Sequence, residues 1–93
     1  MSTFLQAVLK DTAAWTLNGD DPLVVGTARD LVRAALATHP AKDDAVTVAS
    51  ELVTNAHLHS LSGQEGGLVT IGIAIRRCGD VSIQVGDQGP AAP

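Results

Sequence analysis

Aromatic side chains are nearly missing from this 93-residue chain: Phe4 and Trp15 stand alone, and there is no tyrosine. A surface that stacks single-stranded bases needs several such rings, so that route to nucleic-acid binding is excluded. The core must then be built from Val, Ile, Leu and Ala. Basic residues are scarce as well. Six Lys and Arg against ten Asp and Glu leave a net charge of -4, which repels a phosphate backbone, so no nucleic-acid partner is expected. Cys78 is the only cysteine; no internal disulfide can form, and a reducing, cytoplasmic location is expected. No segment approaches the roughly 20 apolar residues that cross a bilayer, and Met1 to Lys10 has no basic start leading into an apolar run, so no membrane partner is expected. A chain this short builds one modest core, giving a single domain over residues 1–93.

What is present is ordered patterning without internal repeats or low-complexity tracts. Ala13, Trp15 and Leu17 alternate with Ala14 and Thr16, the period of a short strand. Asn18-Gly19-Asp20-Asp21 is a turn signal, and Asp21 before Pro22 predicts a helix with Asp21 as N-cap and proline at its first position. Leu23, Val24, Ala28, Leu31, Val32, Ala35 and Leu36 recur at helical spacing, and His39-Pro40 closes that helix. Asp43 and Asp44 suit the start of a second helix, which should run to about Ser60. A loop over 61–67 leads to two strands, Val69 to Arg76 and Val81 to Val85, joined by a hairpin turn at Cys78-Gly79-Asp80. The predicted fold class is α/β (α+β): a two-layer sandwich with two helices on one face of a small, mainly antiparallel sheet.

The second helix carries two faces. Ala45, Val48, Ala49, Leu52, Val53 and Ala56 form a broad apolar one, and Glu51, Asn55 and His59 fall on an adjacent stripe at i, i+4 spacing. A carboxylate, an amide and an imidazole could converge there on one ligand; taken alone, the triplet reads first as an ordinary solvated edge. His57 and His59 point nearly opposite ways on a helix, so a zinc site is not expected. Cys78, in a turn, reads as incidental rather than reactive. Asp87 has two readings. Extending the alternation of Val81, Ile83 and Val85 puts it on the apolar face, where a carboxylate needs hydrogen-bond donors. If instead the strand stops one residue earlier, Asp87-Gln88-Gly89-Pro90 is a plain turn.

Glu51-Leu52-Val53-Thr54-Asn55-Ala56, then His59-Ser60, an amphipathic hairpin and Asp87-Gln88-Gly89-Pro90, resemble the ATP-binding domains of the gyrase, heat-shock-protein-90, histidine-kinase and mismatch-repair superfamily. Within it the chain looks most like the anti-sigma-factor serine/threonine kinases and their small stand-alone relatives; Ala28-Arg29 on the first helix shares the likeness, which spans about Trp15 to Pro93. The resemblance implies a Bergerat-type ATP-binding fold with ATP and Mg²⁺ as cofactors. It implies that Asn55 supplies an oxygen to the metal, that Glu51 is the general base, that Asp87 accepts from the adenine amino group, and that Gly89 lets backbone approach the base. His59 is carried as a nucleotide neighbour. Two departures matter. Ala91 stands where a second glycine is common, and the chain reaches Pro93 without the later glycine-rich segment and phosphate lid, so the expectation is an incomplete, N-terminal portion of that fold with feeble catalysis. The implied partners are a sigma factor, an antagonist protein and a second copy in a homodimer. The alternative expectation is a non-enzymatic interaction module, or an inactive remnant of the domain, whose nucleotide motifs are idle.

Overall fold

The computed structural model describes residues 9–89; Phe4, and Pro90 and Ala91 of the strand-end motif, lie outside them. Three strands form one antiparallel sheet in the order β1-β2-β3: β1 is Leu9–Asn18, β2 is Leu68–Arg76 and β3 is Val81–Gly86. Two helices, α1 (Val24–Ala35) and α2 (Lys42–His59), cover one face, and a single 3-10 turn over Leu61–Gly63 follows α2. This is the α+β two-layer sandwich anticipated from the pattern.

The strands form for the reason their alternation suggests. Val69, Ile71 and Ile73 of β2 are buried, with Thr70 exposed on the opposite face, and the register Ile71↔Val85 and Ile73↔Ile83 stacks β-branched side chains across the helix-facing side. Trp15 opposes Ile71 from β1 and packs against both halves of the core. One half joins Val24 and Ala28 of α1 to Val53 and Ala56 of α2; the other joins Val32 and Leu36 to Ala45, Val46 and Ala49. Four alanines among those buried residues bring the two helices close together and onto the sheet. At the hairpin, the Arg76 N–H donates to the Asp80 carbonyl (2.8 Å), the Gly79 N–H donates to that of Arg76 (2.9 Å), and Gly79 takes φ +100, a backbone conformation natural only to glycine.

Four expectations are corrected. β1 begins at Leu9, before Ala13, because its first residues pair with the far end of β2 (Leu9↔Arg76, Asp11↔Ile75) across an irregularity; the polar stretch there hides the period. α1 starts at Val24 instead of Pro22. The Asp21 carboxylate accepts the Leu23 N–H (2.9 Å) and the Asp21 carbonyl accepts the Val24 N–H (3.0 Å), so Asp21 closes a turn ahead of the helix without capping it. The buried stripe of α1 is the i, i+4 row Val24, Ala28, Val32, Leu36; Leu23 and Ala35 are exposed. On α2 the buried face includes Val46, whereas Val48 and Leu52 remain 44% and 38% exposed. The helix is therefore rolled toward Val46 relative to the face expected from its apolar residues.

Candidate functional site

His59, Asp87 and Gly89 lie at one end of the sandwich, where β1 runs into α1, α2 stops and β3 finishes, and Asn55 and Glu51 follow one and two turns back along α2. That end is a dense hydrogen-bonded junction. The Ser60 hydroxyl donates to the Ala56 carbonyl (2.6 Å), ending α2 by competing for its last turn, and then accepts the Ser62 N–H (3.1 Å). Ser62, fully buried, accepts the Gln88 N–H on its hydroxyl (2.9 Å). The Gln88 side-chain oxygen in turn accepts the Leu68 N–H (2.9 Å), and the Leu61 N–H donates to the Gly89 carbonyl (2.9 Å). His57 Nδ1 donates to the Gly19 carbonyl (2.6 Å), and Asp20 accepts the Gly66 N–H (3.1 Å). The segment after β3 is thus fastened directly to the end of α2.

Backbones meet here without room for side chains. A Cβ at Gly63 would strike the His57 carbonyl, and one at Gly19 or Gly67 would strike the Ser62 carbonyl. Among the described residues, no buried side-chain nitrogen or oxygen lacks a hydrogen-bond partner.

Glu51, Asn55 and His59 do share one stripe of α2, and all three are exposed. Asp87 does not face the core. β3 stops at Gly86, and Asp87 is exposed with Oδ1 accepting the Gly89 N–H (2.9 Å), so the turn alternative describes it and the inward placement is corrected. The cause lies across the molecule: Ser62 captures the Gln88 N–H, pulling the chain off the strand before Asp87 can continue its alternation. Gly89 has φ +91 and nothing within 4 Å of where a Cβ would sit. Its conformation calls for glycine, and the space on its side-chain side is open. The donor set fits a magnesium-bound nucleotide in chemistry: Asn55 offers a hard amide oxygen at an accessible position, and such a cation commonly takes few protein ligands beside phosphate. Hollows on the helix-free face of the sheet lie elsewhere. One of 340 Å³ is lined by Ala14, Thr70, Gly72, Gln84 and Gly86 among others, and includes none of these five residues.

Sequence reasoning passed over the side chains that build this end. His57 was weighed only as a metal ligand, and its work is to tie α2 to the β1–α1 connection. Ser60-Leu61-Ser62-Gly63 carried a usable signal, since closely spaced serines and a glycine after a helical run mark a hydroxyl-closed helix end. At the opposite end His39 does similar work. Its Nδ1 accepts the Ala41 N–H (3.0 Å) and Nε2 donates to the Gly79 carbonyl (2.9 Å), linking the turn between the helices to the hairpin. Comparison with family models, with curated proteins and with solved structures finds no match for this chain.

Proposed function

We propose that this chain is an ATP-binding regulatory protein of the kind its motifs resemble, the anti-sigma-factor serine/threonine kinases, with a Bergerat-type fold and Mg-ATP held beside α2. One observation carries this reading. The acid and amide of the first motif lie on one accessible stripe of α2, and the chain after β3 that carries Asp87 and Gly89 is hydrogen-bonded to the turn ending that helix. The two motifs are therefore fixed to a common element, although more than thirty residues separate Asn55 from Asp87.

In this reading Asn55 holds the metal, which when bound neutralises charge between phosphate oxygens. Asp87 accepts from the adenine amino group, and Gly89 leaves the base an open approach. His59 borders the nucleotide. Glu51 orients a water or a substrate serine hydroxyl by accepting its proton; the protein substrate would be an antagonist, and the sequestered partner a sigma factor.

Calorimetric titration with Mg-ATP tests the claim. Saturable heat is expected, with affinity falling about tenfold or more in Asn55→Ala and in Asp87→Ala, the scale of losing one hydrogen bond to a charged group. Glu51→Ala should bind as the parent does and lose whatever slow turnover the parent shows. Absence of heat at about 1 mM nucleotide, the top of the usual range of KM values, would overturn the assignment.

A second reading, an interaction module with idle nucleotide motifs, draws on the exposed Val48 and Leu52 interleaved with that same polar stripe. It predicts that Asn55→Ala and Asp87→Ala leave capture of a protein partner unchanged.

A further inference from the structure

Asparagine occurs twice in the chain, and only Asn18 precedes a glycine. Packing, not backbone conformation, requires that glycine. Positive φ is confined to Gly66, Gly79 and Gly89 among the described residues, whereas Gly19 is buried with the Ser62 carbonyl where a Cβ would sit. The close contact that shapes the junction therefore sets an unhindered backbone nitrogen beside an amide side chain. Asparagine is among the chemically labile residues, and such a neighbour is the one that attacks it most readily.

The reaction balances with water alone. The Gly19 nitrogen gives up its proton and attacks Cγ of Asn18; a new C–N bond forms, the bond from Cγ to the amide nitrogen breaks, and ammonia leaves carrying that proton. The product is a cyclic succinimide. Water then adds to either of its carbonyls and opens the ring. One opening leaves aspartate at position 18. The other leaves isoaspartate, in which the main chain runs through the former side chain and is longer by a methylene.

The folded chain holds both polar groups of the reacting peptide unit. Its N–H donates to the Gly67 carbonyl (2.9 Å), and its carbonyl, that of Asn18, accepts the Asp21 N–H (3.3 Å). The proton that must leave is thus engaged. On the next peptide unit the Gly19 carbonyl accepts from His57 Nδ1 (2.6 Å), and the Asp20 carboxylate accepts the Gly66 N–H (3.1 Å). Asn18 is the last residue of β1 and pairs with Leu68. Ring closure needs Cβ and the Gly19 nitrogen on one side of the Cα–C bond, which the extended backbone of a strand does not provide. Asn18 is exposed to water, so the obstacle lies in the backbone.

We propose that Asn18-Gly19 is a self-modification site latched by the junction. While His57 and Gly67 hold Gly19, succinimide formation is suppressed. When the β1–α1 connection lifts off the end of α2, the peptide unit is free to rotate and reacts. Such local opening takes less free energy than global unfolding. Both products hinder reclosure. Isoaspartate lengthens the main chain between the pairing with Leu68 and the bond to Gly67, where the Ser62 carbonyl leaves no slack. Aspartate at position 18 adds a carboxylate close to Asp20 and Asp21. Each opening that reacts is recorded covalently, which ties the lifetime of the protein to how often this end comes apart.

Mass spectrometry of the tryptic peptide from Asp11 to Arg29 follows the conversion, with enzymatic methylation distinguishing isoaspartate from aspartate. At neutral pH the intact chain should deamidate at least about tenfold more slowly than a synthetic peptide of the same residues, the ratio reporting the fraction of molecules open. Two variants locate the opening. His57→Phe removes the bond to the Gly19 carbonyl and should speed the reaction about threefold or more, whereas His39→Phe removes the ties at the opposite end and should leave it within about twofold of the parent. Where either variant fails to fold, the parent in sub-denaturing urea gives the reading: deamidation and exchange of the Gly19 amide should rise together, ahead of global unfolding. An intact chain that deamidates as fast as the peptide, equal effects of the two folded variants, deamidation that rises only with global unfolding, or a purified isoaspartate form with the parent's urea midpoint overturns the proposal.

Discussion

Where β1 meets α1 and β3 stops, the protein is held by a chain of hydrogen bonds through Ser60, Ser62 and Gln88, with His57 reaching across to Gly19. At the opposite end, where α1 turns into α2 and β2 into β3, the connections are apolar packing around Leu36, Val46 and Ile73 and the imidazole of His39. Both ends contain glycine, for different reasons. Gly63 sits where a neighbouring carbonyl leaves no room, and Gly79 sits in open space with a left-handed backbone. The difference teaches that the end carrying the candidate site is specified by backbone contact and the other by turn conformation. Backbone contact is the less forgiving of the two, because the atoms it involves cannot rotate away.

The same substitution made at both ends breaks or sharpens that contrast. Gly63→Ala drives a methyl group into the carbonyl of His57 and should displace the end of α2 together with Ser62 and its grip on Gln88. The expected loss is on the order of 4 kcal/mol or more, the exceptional range for one substitution, read as a collapse of the urea midpoint. Gly79→Ala meets no atom and carries only the strain of a left-handed conformation, about 1–2 kcal/mol. Equal losses at the two positions would mean that the junction yields more easily than its geometry implies.

Much of the fold was legible because its cues are local. The alternation in β2 and β3 and the Cys78-Gly79-Asp80 turn each declare themselves within a few residues, and the elements appear in the anticipated order. The misses involve partners distant in sequence. Lys10, Asp11 and Thr12 near the start of β1 are polar and join the strand only because β2 is long enough to pair along this stretch. Val46 and Val48 are chemically alike, and the position of α1 and the sheet, which a helical wheel does not contain, decides which of them is buried. Asp87 leaves the apolar face because Ser62, twenty-five positions earlier, captures the N–H of the next residue, Gln88. The stripe of Glu51, Asn55 and His59 was readable from spacing alone; its connection to the end of β3 was not, since that depends on the Leu61 N–H meeting the Gly89 carbonyl.

Nitrogen-proton correlation spectra recorded while Mg-ATP is added bear most directly on the central claim, because they locate a ligand as well as detect one. The account predicts saturable shifts confined to the stripe from Glu51 to His59 and to Asp87 through Gly89, with the helix-free face around Thr12 and Gly72 unmoved. Shifts confined to that other face, or none at millimolar nucleotide, would contradict it.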